Sequence, residues 1–80
     1  MKNIKVLFFG KLKEIWENNH LDLETESNNI EELYIELLKF ASSEPFKPSI
    51  KVAINDEFCD WSTAIEDGDE IAFLPPASGG

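Results

Sequence analysis

The middle of the chain carries one amphipathic helix pattern, and strand patterns lie on both sides of it. Asn29 can cap the backbone amides at the start of this helix, and Glu32 can reach back as in a capping box. Glutamates and Lys39 occupy one side. The apolar residues that recur at helical spacing on the other side are Ile30, Leu33, Tyr34, Leu37, Phe40 and Ala41. Such a helix buries one stripe, so it needs a sheet to pack against.

The remaining patterns predict that sheet. Before the helix, the alternation of residues 4–9 predicts a strand that ends at Gly10. A short helical piece is expected over 11–17 and a turn over 18–20. Residues 21–26 alternate between a less polar and an acidic side chain, which predicts an edge strand. After the helix, Pro45 and Pro48 bracket a loop in which Phe46 is expected to contact the core. Strands are then predicted over 50–54, 57–60 and 71–74.

This order of elements predicts an α+β domain of the ubiquitin-like β-grasp type, with a mixed sheet of about five strands and one main helix across one face. The first and last strands are expected side by side and parallel at the centre. The 80 residues leave no room for a second domain. We therefore expect a folded unit over residues 1–74 and a flexible C-terminal tail, residues 75–80.

The strand periodicity also predicts an apolar surface on the side of the sheet that the helix leaves uncovered. Alternate residues of the central strands must point toward the helix, so their neighbours must point away from it. The residues expected on this outer side are Leu7, Phe9, Ala53, Phe58, Ala72 and Leu74. Large exposed apolar patches mark partner surfaces, although the chain's own loops could instead cover Phe9 and Leu74.

The charge of the chain restricts its partners. Sixteen acidic residues against seven lysines give a net charge of −9, which makes nucleic acid an improbable partner. Residues 52–80 hold seven acids and no base, which either favours docking on a basic surface or only keeps the chain in solution. No apolar stretch is long enough to span a membrane, and no secretion signal is recognisable at the N-terminus. We expect a cytoplasmic location.

Conventional catalytic groups are weakly represented. Cys59 and His20 fall on separate short elements, so Cys59 is interpreted as a packing residue and His20 as a surface residue in a turn. The acidic run from Glu66 to Glu70 lacks the ligand spacing of a calcium loop. No nucleotide-binding motif is present. No metal site and no permanently bound cofactor are therefore expected.

The C-terminus, PPASGG, is the most distinctive segment. Pro75 and Pro76 cannot continue a strand, so the chain is expected to leave the domain after Leu74. The six residues of the tail can span about 20 Å when extended. Gly79 and Gly80 have no β-carbon, which allows the backbone through a narrow channel and leaves the terminal carbonyl open to attack. A frayed tail without a role is the alternative.

These residues carry a family resemblance. FLPPASGG at 73–80, preceded by EDGDEIA at 66–72, resembles the end of the molybdopterin synthase small subunits, the sulfur carriers of molybdenum cofactor synthesis. KVLFFGKLKE at 5–14 is similar to the first strand and helix of that family. Lys13 departs from the pattern, because many members carry arginine there, and lysine cannot make the same bidentate contact.

The resemblance implies a reaction cycle. Gly80 would be joined covalently to AMP by a ubiquitin-activating-type adenylyltransferase and converted to a thiocarboxylate by a sulfur donor protein. The tail, including Ala77 and Ser78, would then enter the large synthase subunit and give sulfur to cyclic pyranopterin monophosphate, forming the dithiolene. The large subunit would hold the catalytic pocket in a heterotetramer. Positions matching Phe9, Phe58 and Leu74 meet that subunit in the family.

Other functions remain open on the sequence. Sulfur carriers for thiamine synthesis or tRNA thiolation share the architecture, and the paired proline before the glycines favours molybdopterin synthase over them. A ubiquitin-like modifier would instead attach Gly80 to lysines of other proteins. A binding module with an inert tail is the third class, and its function would survive deletion of Gly79 and Gly80.

Overall fold

The sheet begins with a strand whose alternate residues are buried. In the computed structural model, which describes residues 1–43 and 47–75, β1 spans Lys2–Phe8 and buries Ile4, Val6 and Phe8. A short helix, α1, follows at Leu12–Trp16 and ends at Glu17, which has a left-handed backbone conformation. The second strand, β2, spans His20–Thr25 and pairs antiparallel with β1.

The main helix, α2, spans Ile30–Leu37 and packs on one face of the sheet. The Asn29 side chain accepts a hydrogen bond from the Glu32 amide at 2.9 Å, as predicted, and the Glu32 carboxylate accepts from the Asn28 amide at 2.9 Å. Ile30, Leu33 and Leu37 are fully buried. The α-helix is shorter than predicted, because a 3₁₀ turn at Leu38–Phe40 replaces its last turn.

Three further strands complete the sheet: β3 at Lys51–Ile54, β4 at Glu57–Cys59 and β5 at Glu70–Leu74. Asn55 and Asp56, both with positive φ, form the predicted tight turn between β3 and β4. A 3₁₀ turn at Lys47–Ser49 precedes β3. The predicted contact of Phe46 lies outside the described residues.

The strand order is β2-β1-β5-β3-β4, with β1 and β5 parallel at the centre and β2 at one edge. The other neighbouring pairs are antiparallel. This five-stranded mixed sheet crossed by one main helix is the ubiquitin-like β-grasp arrangement, which confirms the predicted fold. Pairing of the first and last strands places the end of β5 beside the end of β1.

The core lies between α2 and the inner side of the sheet, and aromatic rings fill its centre. Phe8 stacks on Trp16 at 4.7 Å between ring centroids, and the indole of Trp16 donates a hydrogen bond to the Leu37 carbonyl at 2.8 Å. Tyr34 and Phe73 pack in the same group. The short helix α1 is therefore fixed to both β1 and α2 through one side chain.

The segment between β4 and β5 closes the N-terminal end of α2. The amide of Ile30 donates to the Thr63 carbonyl, and the amide of Glu31 donates to the Trp61 carbonyl. Ile65 is buried with only 3% of its surface exposed. The sequence indicated only a turn-rich segment here, yet its carbonyls accept hydrogen bonds from amides at the helix start that have no partner within the helix.

Candidate docking face and tail exit

The chain leaves the sheet beside the turn between β1 and α1. Phe8 and Phe73 are neighbours in the central parallel pair, and the Phe9 amide donates a hydrogen bond to the Phe73 carbonyl at 3.2 Å. Leu74 is the last residue of β5, and Pro75 follows it half-buried. Pro75, the first residue of the predicted tail, thus lies against Gly10.

One row of residues crosses all five strands on the outer side of the sheet. The register pairs Leu7 with Ala72, Ala72 with Ala53, and Ala53 with Phe58, while Leu7 also faces His20 of β2. Leu74 and Lys51 are paired in the adjacent row. We define the docking face as Leu7, Phe9, Ala53, Phe58, Ala72 and Leu74.

The exposure of these side chains shows which of them are available for contact. Phe58 is 72% exposed and Phe9 is 43% exposed, so no loop of the described chain covers either ring. Leu74 is half-buried, and Ala53 is only 7% exposed between its neighbours. The two phenylalanine rings are therefore the most accessible apolar side chains of this face, and the other members are half-buried or buried.

Polar and charged side chains flank the docking face. Lys5, Lys13, His20 and Glu70 line one shallow depression together with Phe9 and Leu7. Lys51 lies at the side of Leu74. Strand alternation could have identified Lys5, because it shares the side of β1 that carries Leu7. Three lysines and Glu70 thus lie beside this face on a chain of net charge −9, and the lysines are the groups here that can pair with carboxylates of a partner.

His20 lies at a different place from the one predicted. It is the first residue of β2 and not part of a turn, and its side chain is exposed on the outer side of the sheet. The reason is that β1 pairs with β2 as far as Leu7, so residue 20 is drawn into the ladder opposite it. His20 and Cys59 are on opposite edge strands, which excludes a nucleophile and base pair.

The acidic turn before β5 uses its carboxylates locally. Asp67 accepts a hydrogen bond from the Asn3 amide at 2.7 Å, and Asp69 accepts from the Glu66 amide at 2.8 Å and from the Asn55 side chain at 3.1 Å. Gly68 has a φ of +90° at the tip. These contacts fix the loop to the start of β1. Docking of the acidic residues on a basic surface stays a prediction.

Cys59 is half-buried against the edge of the core, in agreement with a packing role. Burial raises the pKa of the Cys59 thiol above its ordinary value, and the charge of Asp60 acts in the same direction. Hydrogen bonds with Thr63 and the Ile54 backbone oppose this shift without cancelling it. The thiol is therefore protonated at neutral pH and a poor nucleophile.

This protonation state predicts slow chemical modification. At pH 8, iodoacetamide should alkylate Cys59 several-fold more slowly in the folded chain than in the same chain unfolded in urea, because a raised pKa lowers the thiolate fraction. Mass spectrometry of timed samples measures both rates. Asp60→Asn should accelerate the folded reaction, since it removes one cause of the shift. A folded rate equal to the unfolded rate would contradict this account.

Five predicted site residues lie outside the described residues: Pro76, Ala77, Ser78, Gly79 and Gly80. Their roles therefore stay predictions. Within residues 1–43 and 47–75, no group of three or more His, Cys, Asp or Glu side chains could hold a metal ion. The helices in this part of the chain are all too short or too polar to cross a bilayer.

Comparisons with known proteins match nearly the whole chain. The profile of the ThiS family matches residues 6–80. The molybdopterin synthase sulfur carrier subunit of Arabidopsis thaliana is 33% identical over 79 residues, which cover 96% of this chain and 82% of that protein.

Two solved structures share the fold. One is a chain in the complex of subunits 1 and 2 of the molybdopterin-converting factor from Helicobacter pylori, at 29% identity, a TM-score of 0.72 and coverage of 98% of this chain and 99% of that chain. The other is the small archaeal modifier protein 1 from Methanosarcina acetivorans, at 27% identity, a TM-score of 0.80 and coverage of 100% and 98%. The chain belongs to the ThiS family, with molybdopterin synthase sulfur carrier subunits among its relatives.

Proposed function

We propose that this chain is the sulfur carrier subunit of a molybdopterin synthase. The observation that supports this most strongly is the match of the ThiS family profile through Gly80, together with curated relatives of that name over nearly the full chain. The structure is compatible with this function, because β5 ends at Leu74 beside an exposed apolar face. The carrier holds the reacting atom, and a larger partner supplies the catalytic pocket.

The chemistry begins at the carboxylate of Gly80. A carboxylate oxygen attacks the α-phosphate of ATP on an adenylyltransferase, which forms an acyl-adenylate and releases pyrophosphate. A sulfur nucleophile, delivered by a donor protein at the oxidation level of hydrosulfide, then displaces AMP. The product is a thiocarboxylate, which is ionised at neutral pH and strongly nucleophilic. AMP and then sulfur are bound to Gly80 in turn, and no permanent cofactor is required.

Transfer takes place in the large subunit of the synthase. The thiocarboxylate sulfur attacks a carbon of cyclic pyranopterin monophosphate and displaces an oxygen substituent from that carbon. Water then attacks the Gly80 carbonyl carbon and cleaves its bond to the sulfur. This returns the carboxylate and leaves sulfur on the product, so two carriers supply the two sulfurs of a dithiolene. Tethering keeps the sulfur at a high local concentration and avoids release of free sulfide.

The docking face would hold the carrier on its partners. Phe9 and Phe58 present accessible aromatic rings, and Leu74 of the same face directly precedes Pro75. Burying a large apolar side chain contributes about 1.5 to 3 kcal/mol of transfer free energy. We place the large subunit on this face, with the tail from Pro75 to Gly80 extending into its pocket, because the face and the tail exit are contiguous.

A second candidate function is attachment to other proteins. The structural similarity to a small archaeal modifier protein favours this alternative specifically, since that protein is 27% identical with a TM-score of 0.80. The chemistry diverges only after adenylation, when a lysine amine and not sulfur receives the Gly80 acyl group. Probing a cell extract for ladders of conjugates that contain this chain separates the two functions.

The direct test is the mass of the intact chain isolated from its own host. Sulfur carriage predicts a population in which one oxygen is replaced by sulfur, located at Gly80 by fragmentation. That population should convert the pyranopterin precursor to the dithiolene product when mixed with the large subunit. A chain that never carries sulfur and is recovered as isopeptide conjugates would overturn the proposal in favour of the modifier.

A further inference from the structure

Gly10 and Pro75 are in close contact at the exit of the tail. A β-carbon placed on Gly10 would lie 2.7 Å from Cγ of Pro75 and 3.5 Å from its Cδ. The first distance is far shorter than ordinary van der Waals contact, so Pro75 occupies the space that any other residue type at position 10 would need. Only a residue without a side chain allows the proline ring to lie this close to the backbone.

The backbone of Gly10 adds a second constraint at the same point. Its φ is +55°, in the left-handed region that side chains disfavour. Hydrogen bonds on both sides hold this conformation: the Leu12 amide donates to the Phe9 carbonyl, and the Lys13 amide donates to the Gly10 carbonyl, each at 3.1 Å. The backbone under Pro75 is therefore a hydrogen-bonded turn that leads into α1.

We propose that Gly10 is a positioning residue. Because it has no side chain, Pro75 can pack directly on its backbone, and this contact fixes the point and direction from which residues 76–80 leave the domain. This inference rests on the proposed function and adds to it a residue that never touches the reacting atoms. Pro75 acts from the other side of the same contact. The tail is thus anchored one residue beyond the end of β5.

The position of this anchor affects transfer because the tail has little length to spare. Five residues beyond Pro75 span at most about 17 Å when fully extended. When the docking face is held on a partner and Gly80 has to reach that partner's pocket, a shift of Pro75 cannot be absorbed by further extension. A methyl group on Gly10 would move Pro75 by about 0.7 Å to restore ordinary contact. Misplacement on that scale can slow a reaction by roughly ten- to hundredfold.

The experiment compares Gly10→Ala with a matched control, Gly68→Ala. Gly68 also has a positive φ, at +90°, yet a β-carbon there would have no atom within 4 Å. Both substitutions therefore strain the backbone, and only the first displaces Pro75. With purified large subunit and thiocarboxylated carrier, Gly10→Ala should lower kcat for sulfur transfer about tenfold or more while its Kd stays near the wild-type value. Gly68→Ala should leave both within about twofold of wild type.

A double variant tests whether the effect passes through Pro75. Pro75→Ala removes both the Cγ and the Cδ that the new β-carbon would meet, so adding Gly10→Ala in this background should cost no more than Gly68→Ala does. Pro75→Ala alone should lower kcat several-fold, because the contact between the proline ring and the Gly10 backbone is lost. If Gly10→Ala fails to fold, Pro75→Ala alone still tests the proposal. Pro75 lies after the last strand, so its replacement should not unfold the domain.

The outcomes are distinct from a failure of the proposed function, which would show as a wild-type carrier that transfers no sulfur. The positioning role is overturned if wild type is active and Gly10→Ala matches Gly68→Ala in kcat. It is equally overturned if the loss caused by Gly10→Ala persists undiminished in the Pro75→Ala background, or if Pro75→Ala alone leaves kcat unchanged.

Discussion

Deletion of Gly80 is expected to abolish sulfur transfer while leaving the domain as stable as the wild type. The truncated chain would still end in a glycine carboxylate, but that carboxylate would be retracted by about 3.5 Å along the tail. A displacement of this size takes the reacting carbon out of any site built for it. The described core residues all lie between Ile4 and Phe73, so unfolding by denaturant should give an unchanged midpoint.

A length-preserving control separates reach from the need for glycine. Gly80→Ala keeps the terminal carboxylate at its full distance and adds only a methyl group beside it. We expect it to form thiocarboxylate slowly and to transfer measurably, whereas the deletion should give no product above background. Both are measured as dithiolene formed per carrier in a single turnover. Wild-type turnover by the truncated chain would refute the assignment of Gly80 as the sulfur-bearing residue.

The fold could be predicted because its strands repeat a simple pattern. In β1 and β5, alternate residues are apolar on the inner side, and the structure buries Val6, Ile71 and Phe73 as the periodicity requires. The order of elements then left the first and last strands to pair at the centre. The position of the docking face followed from the same alternation, since every inward residue implies an outward neighbour.

Sequence periodicity gave wrong or missing predictions where contacts between distant parts of the chain determine helix length or burial. Phe40 continues the helical spacing in the sequence, but α2 ends at Leu37 and Phe40 is 63% exposed, along a groove it shares with Leu21 and Leu23. The spacing of apolar residues shows which of them share one face of a helix, but it does not show at which residue the helix ends. Ile65 was missed for the same reason, because its burial depends on a carbonyl 37 residues earlier, that of Asn28.

The contact between Gly10 and Pro75 could not be predicted from the periodicity of the sequence either. Gly10 was expected to end the first strand, which in the structure ends two residues earlier at Phe8, and Pro75 was expected to start the tail. That the two touch depends on the parallel pairing of β1 with β5, whose ends therefore coincide. A glycine follows one central strand and a proline follows the other. Their contact can be predicted from the sequence only if β1 and β5 are already assumed to be parallel neighbours.

Phe9→Asp is expected to weaken binding of the carrier to the large subunit by roughly 100-fold or more. Loss of the ring removes about 1.5 to 3 kcal/mol of apolar transfer free energy, and the carboxylate that replaces it would lose its hydration in an apolar contact. The Phe9 side chain lines the same depression as Lys5 and Lys13, so a new anion here would also neutralise cations that fit a partner's carboxylates. Titration calorimetry with purified large subunit measures the change in Kd.

Phe40→Asp is the matched control, because it makes the same chemical change at another exposed phenylalanine away from the docking face. It should bind the large subunit with near wild-type affinity. Phe9 is 43% exposed, so Phe9→Asp should cost little stability, and the unfolding midpoint of each variant separates loss of binding from loss of fold. If both variants lose affinity equally, the partner does not discriminate between the two sides of the sheet, and the outer side is not where the large subunit binds. A selective loss for Phe9→Asp instead ties partner recognition to the surface from which the tail departs, so that one docking event both holds the carrier and aims Gly80.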